Sequence, residues 1–338
     1  RVADNEENDP VRIAVSGSIA TDHLMTFPGR FGDQFVADQM DRVSLSFLVD
    51  DLQIRRGGVA ANICFGMACL GLRPILVGAV GHDFDDYRSW LERHGVDCDS
   101  VHVSELHHTA RFLCTTDRDH NQIASFYTGA MAESREIELG PIAERVGGLD
   151  LVVIGPSDPD AMLRHTDECR QRGIPFAADC SQQLARMEGP EIRRLIEGAA
   201  YLFSNDYEKA LIEQKTGWSD EEVLDRVGVR VTTLGPKGAR IDIKGEPSLH
   251  VPPAPERRKA DPTGVGDAFR AGFLAGLSWG LSLERCAQIG NLTATHVLEH
   301  VGGQEYELGQ KEFLERFTEA YGADAAAEVA RHVRCHYP

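Results

Sequence analysis

Short apolar runs recur along the chain, and each gives way to small or polar residues. Val11 to Val15 runs into Ser16-Gly17-Ser18, Ile75 to Val80 into Gly81, and Leu151 to Ile154 into Gly155. Pro175 to Ala178 stops at Asp179, Tyr201 to Phe203 at Ser204-Asn205, and Val229 to Thr233 at Leu234-Gly235. Runs that do not alternate apolar with polar are those of strands buried on both faces, the habit of parallel sheets. Helical periodicity fills the intervals, over Asn62 to Leu70, Asp160 to Arg172, Pro190 to Gly198 and Ser219 to Val227. Strand and helix in alternation predict an α/β chain, a right-handed, doubly wound α/β/α sandwich. Ligands of such sheets bind beyond the carboxyl ends of the strands, which gathers Ser18, Asp179, Asn205 and Thr233 on one edge.

Two stretches break the rhythm. Thr109 to Thr116 and Gln122 to Tyr127 are β-rich and joined by polar Asp117 to Asn121, a hairpin pattern. Residues 22–56, with Val, Leu and Phe around Val43 to Leu52, also lack helical periodicity. Both are expected to form a small β-sheet lid over the ligand edge, able to exclude water and to pair with a second subunit as a homodimer. Extra strands on the main sheet are the plainer alternative. The chain thus divides into a large α/β domain (11–21, 57–108 and 132–334), a discontinuous lid (22–56 and 109–131) and a polar, disordered tail (1–10).

Composition narrows the partners. The 338 residues, 42% of them hydrophobic, suffice for a large core without disulfides or metal. With 53 acidic against 35 basic residues the formal charge is -18, which repels nucleic acid. The one short basic run, Arg257-Arg258-Lys259, is a solvated loop or an aid in steering a polyphosphate. Eight scattered cysteines without a C-x-x-C pair, and histidines without zinc spacing, fit a reducing compartment. No apolar run approaches the roughly 20 residues that span a bilayer. A soluble, cytoplasmic protein is expected, binding neither membrane nor nucleic acid.

The segment Asp261-Pro262-Thr263-Gly264-Val265-Gly266-Asp267 carries the most chemistry. Phe269, Phe273 and Leu277 follow at every fourth position, with Ala268, Gly272 and Gly276 alongside, so a closely packed helix starts at the glycines. Amides at a glycine-rich helix start form an anion cradle, and a phosphate fits it. Asp267 in the first turn is either an acid placed by the helix dipole or a proton acceptor beside that cradle. In the second role it would deprotonate an attacking hydroxyl while the amides hold developing charge.

This run resembles the signature of the PfkB family, the ribokinase-like carbohydrate and nucleoside kinases. Three further marks follow in family order: Gly57-Gly58 ahead of Asn62, Asn205-Asp206-Tyr207-Glu208 as N-x-x-E, and Thr233-Leu234-Gly235-Pro236-Lys237-Gly238 as T-x-G-x-x-G. Within the family the chain is similar to bacterial ribokinase-like adenosine kinases over Gly17 to Leu24, Val43 to Leu52, Thr109 to Asp117, Ile123 to Met131 and Phe176 to Met187. The resemblance implies transfer of the ATP γ-phosphoryl group to adenosine, a purine-salvage step, with Asp267 as base and Gly264, Val265 and Gly266 as anion hole. It implies that Asp22, Gly58 and Asn62 hold the ribose, with Ser18 nearby. Phe112 and Phe126 would border the purine, unless they are lid core, and Met131, Gln182 and Gln183 would complete the pocket. Thr233, Gly235 and Gly238 would border ATP. Asn291 would reach its base or lie on a helix surface. Asn205 and Glu208 would stand near phosphate and Mg2+, partly through water. A monovalent cation such as K+ would involve Asp261 and Thr263. Pro262 departs from the β-branched or small residue of many relatives and removes one amide donor.

Other classes fit less well. Gly276-Leu277-Ser278-Trp279-Gly280 matches the hydrolase pattern G-x-S-x-G, but a helix, not a strand, precedes the serine. The first strand lacks G-x-G-x-x-G, against a dinucleotide oxidoreductase, and no Walker A sequence occurs. A non-catalytic nucleoside or sugar sensor would need only the ribose clamp. Ribose, fructose and other nucleosides remain alternative acceptors.

Overall fold

The computed structural model describes residues 10–35 and 42–336. The tail expected over 1–10, Pro10 apart, and residues 36–41 of the first insertion lie outside this range. The chain opens with β1 (Ile13–Ser16), β2 (Ala20–Thr26), β3 (Asp51–Gly57) and α1 (Val59–Cys69). β4 (Ile75–Val77), β5 (Ala79–Val80), α2 (Asp85–His94), β6 (His102–Val103), β7 (Ala110–Thr116) and β8 (Gln122–Tyr127) follow. Next come α3 (Leu139–Val146), β9 (Leu151–Ile154), α4 (Pro159–Arg172), β10 (Phe176–Ala178), α5 (Gly189–Ile196) and β11 (Tyr201–Asn205). The last part holds α6 (Asp206–Thr216), α7 (Asp220–Leu224), β12 (Val229–Thr233), β13 (Ala239–Asp242), β14 (Leu249–Val251), α8 (Val265–Ser278), α9 (Leu283–Leu298), α10 (Gln310–Tyr321) and α11 (Ala323–Ala330).

Eight strands form the main sheet in the order β14-β13-β12-β11-β10-β9-β1-β4. The apolar runs account for its parallel part, β12 to β4, and their side chains alternate between two cores. Ile13 and Val15 pack with α1, α8 and α9, whereas Ala14 packs with α4 and α5. Burial on both faces is why these strands carry no polar alternation. The sheet is not wholly parallel: β13 and β14 add an antiparallel edge. The run Ile75 to Val80 is not one strand either. It divides at Gly78, where a Cβ would lie 2.8 Å from the Gly17 carbonyl, and β5 pairs with β6 in a separate two-stranded sheet.

A second sheet has the order β3-β2-β7-β8. β7 and β8 form the hairpin that the sequence pattern predicts, and Asp117 closes its loop by accepting the Asp119 and Asn121 amides at 2.9 Å each. β2 joins this hairpin to β3, parallel to β7 and antiparallel to β3. One rung of the sheet is Arg55, Asp22, Phe112 and Phe126 in register, so these four side chains share a face.

Candidate active site

Glycine 58 caps α1 at φ 92°, a left-handed conformation that side chains rarely adopt. A Cβ there would stand 2.5 Å from the Ser18 carbonyl oxygen, so only glycine lets β3 turn into α1 against the end of β1. That turn brings Asn62, one turn into α1, to the start of α8. Gly264 caps α8 at φ 77°, and a Cβ on it would meet the Gly303 Cα at 2.9 Å. The Val265 amide donates to the Pro262 carbonyl at 3.3 Å, and the next amides of α8 lack intrahelical acceptors, so they could receive an anion.

Two cavities meet at this helix start. The first, about 530 Å³, is lined by Ser18, Asp22, Gly58, Asn62, Phe126, Met131, Gln182, Gln183, Thr263, Gly264 and Asp267. The second, about 540 Å³, lies on the far side of the turn and includes Gly235, Pro236, Lys259, Pro262, Val265 and Asn291. This helix start thus forms the partition between two compartments of small-molecule size.

At the floor of the first cavity the Asn62 Nδ2 donates to Asp267 Oδ2 at 2.9 Å. Gln304 Nε2 donates to Asn62 Oδ1 at 2.9 Å and to the Tyr87 hydroxyl at 2.6 Å, while Trp90 Nε1 donates to Gln304 Oε1 at 3.1 Å. Tyr87 in turn donates to the Gly57 carbonyl at 2.8 Å. This chain of bonds fixes the Asn62 amide with its nitrogen toward Asp267. Burial pushes the Asp267 carboxyl up to about 7, against the opposing pull of Asn62 and Arg270 and with the help of Asp179 and Glu208. Burial likewise raises Asp22, partly offset by Arg55. A group poised near neutrality at the join of two cavities is suited to accept and return a proton.

Most of the expected acceptor-site residues come together. Ser18 Oγ accepts the Val59 amide at 2.9 Å, and Gln183 Nε2 donates to the Ser157 carbonyl at 2.6 Å. Phe112 is the exception: it shares the rung of Asp22 and Phe126 but is not part of the cavity wall. The expected nucleotide residues are more dispersed. Gly235 and Asn291 line the second cavity, whereas Thr233, Gly238 and Asn205 do not. Asn291 is buried rather than on a helix surface, and its Nδ2 is spent on the Val251 and Pro252 carbonyls at 3.3 and 2.9 Å. Asn205 and Glu208 form a capping box on α6, each side chain taking the other's amide, at 2.7 and 2.9 Å. Burial raises the Glu208 carboxyl.

Asp261, expected beside a monovalent cation, is held by neighbouring groups. Its carboxylate accepts the Thr263 and Gly302 amides at 2.9 Å each and faces Arg55 Nη1 at 3.8 Å. Burial works to raise this carboxyl, yet those amides and Arg55 hold it below the usual value. Among the described residues no group of three or more His, Cys, Asp or Glu could hold a metal ion. Nor is any of their helices long and apolar enough to cross a membrane.

Sequence reasoning missed Arg270 and Gln304, and also Arg186 and Gly303, which line the first cavity. A lone arginine in the apolar run Ala268 to Gly276 was the visible signal for the first. Gln304 carries none, because its partner Asn62 is 242 residues away.

An α/β sandwich with a small second sheet and a glycine-rich helix start beside a titratable aspartate defines a phosphotransferase of the ribokinase-like fold. Residues 21–308 match the pfkB family of carbohydrate kinases, and the chain belongs to that family. It is 30% identical to the nucleoside kinase of Methanothermobacter thermautotrophicus over 288 residues, covering 84% of this chain and 92% of that protein. The ligand-free nucleoside kinase of Burkholderia thailandensis superposes with TM-score 0.84 at 35% identity, covering 90% of this chain and 99% of the other. The same Burkholderia enzyme in complex with inosine gives TM-score 0.79 at 34% identity over 92% of this chain and 99% of the other.

Proposed function

We propose that the chain is an ATP-dependent nucleoside kinase that phosphorylates the 5'-hydroxyl of purine nucleosides, adenosine foremost, giving AMP and ADP. The observation that carries this reading is the partition of two cavities by one anion-binding turn, with Asp267 on the acceptor side. The ribose hydroxyls donate to Asp22, whose carboxylate takes a pair of adjacent donors, and meet Asn62 and the Gly58 turn. The base lies along Phe126, flanked by Met131, Gln182 and Gln183. MgATP occupies the second cavity, with its terminal phosphate over the amides of Val265, Gly266 and Asp267. Glu208 would hold Mg2+ through water, and the ion would neutralise charge on the phosphates. Asp267 Oδ1, the oxygen not taken by Asn62, accepts the 5'-hydroxyl proton as the oxygen attacks phosphorus. The helix-start amides stabilise charge on the transferring group.

The small sheet is proposed as a lid that excludes water from this transfer. Its outward rungs carry exposed Leu52, Ile54 and Ile123, an apolar face suited to a second copy of the chain. The reaction returns free nucleosides to the nucleotide pool, a cytoplasmic purine-salvage step. Inosine is a second acceptor, supported by the inosine complex of the Burkholderia enzyme. A bare sugar would leave Phe126, 49% exposed, without a partner. ADP formation with Mg2+ across adenosine, inosine, guanosine, ribose and fructose tests the reading. Purine nucleosides should be the best acceptors, and ribose or fructose turned over faster than every nucleoside would overturn it.

A further inference from the structure

A buried ion pair lies beneath the anion turn. Arg270 follows Asp267 by three residues on α8, and helical side chains lean toward the helix N-terminus, so its guanidinium returns under the first turn. Nε and Nη2 donate to the two carboxylate oxygens of Asp179, the second at 3.0 Å, and Nη1 donates to the Gly266 carbonyl at 3.0 Å. Asp179 is fully buried just past β10, where its amide donates to the Ile154 carbonyl at 3.0 Å. A pair that only braced the core would need no third bond to the turn. A buried fork on a carboxylate costs desolvation that apolar packing avoids, so such a pair is weak evidence of stability alone.

We propose that Asp179 and Arg270 form a positioning pair for phosphoryl transfer. Asp179 ties the guanidinium to the carboxyl edge of the sheet, while Arg270 holds the Gly266 carbonyl and provides the positive charge beside Asp267. The groups facing Asp267 are Arg270 on α8, Asp179 after β10, Glu208 on α6 and the Tyr306 hydroxyl after α9. Arg270 is the cation of this set. It draws the Asp267 carboxyl down, while Asp179 and Glu208 push it up. The two halves of the pair therefore act on the base in opposite directions, so replacing each one should shift the activity profile the opposite way.

This assignment rests on the kinase reading, and its test separates the two. Arg270→Gln and Asp179→Asn are assayed as full-length chains for kcat and kcat/KM from pH 5.5 to 9, with thermal melts alongside. Arg270→Gln should move the acid limb of kcat/KM to higher pH by at least ~0.5 unit and lower kcat about tenfold, with nucleoside KM within about twofold. Asp179→Asn should move the same limb to lower pH. Arg270→Lys, which keeps the charge, should leave the limb within ~0.2 unit of wild type. If Arg270→Gln does not fold, the last two variants decide the matter. Lower melting temperatures with every limb unmoved, or limbs that shift in the same direction, would overturn the assignment. A wild-type chain that turns over no nucleoside overturns the nucleoside-kinase reading and leaves the pair to be tested on the acceptor it does use.

Discussion

Replacing Asp267 by Asn removes a proton acceptor and a buried charge at almost constant volume, so activity and stability should move in opposite directions. In the unfolded chain the carboxyl ionises near pH 4, whereas in the folded protein burial delays this to about 7. Raising the pH between those values therefore favours unfolding, and the penalty is complete above pH 7. A shift of roughly three units corresponds to ~4 kcal/mol at about 1.4 kcal/mol per unit. Asp267 faces an open cavity where water screens it, so about 1–2 kcal/mol is expected in practice. For 338 residues this amounts to a melting temperature about 1–3 °C higher for Asp267→Asn at pH 8, with no difference near pH 4. Turnover should fall by at least ~10²-fold, the scale of general-base loss. Calorimetry at both pH values and a coupled ADP assay check the pair of effects. Near-normal turnover in the folded variant, or a melting point lowered at pH 8, would refute the reasoning.

Wild-type kcat/KM should fall about tenfold per unit below pH 7 and level off above it, as expected if Asp267 must be ionised; a profile flat from pH 5.5 to 8 would exclude it as base. Gly264→Ala places a Cβ 2.9 Å from the Gly303 Cα at φ 77° and should cost ~10²-fold in kcat with nucleoside binding, measured by calorimetric titration, little changed. Phe126→Ala should raise the KM for adenosine about tenfold, the loss of one stacked ring, while any turnover of ribose stays the same. Arg55 Nη1 stands 3.8 Å from the Asp261 carboxylate, so rates in sodium and potassium buffers should agree; activation by K+ of ~5-fold or more would show a cation binding there.

The main sheet was legible because strands buried on both faces leave unbroken apolar runs. β9 and β12 coincide with theirs, residue for residue. β13 and β14 were not, because an antiparallel edge admits polar Arg240 and His250 and erases the pattern. The division of Ile75 to Val80 depends on how closely Gly78 approaches Gly17, a tertiary contact that local sequence does not carry. The helix start from Gly264 to Asp267 could be read locally, since glycines, a following apolar period and an acid all lie within a few residues. Its supports could not: Arg270 meets Asp179 across 91 residues, and Gln304 meets Asn62 across 242. Nor could the approach of Arg55 to Asp261 be read locally, because it comes from the other sheet.

The transfer itself can be followed with ATP labelled at its γ-phosphate and incubated with adenosine and Mg2+. Wild type should place the label on the nucleoside 5'-oxygen, and Asp267→Asn should do so at least ~10²-fold more slowly. Label released as inorganic phosphate at one rate with or without nucleoside would contradict the account.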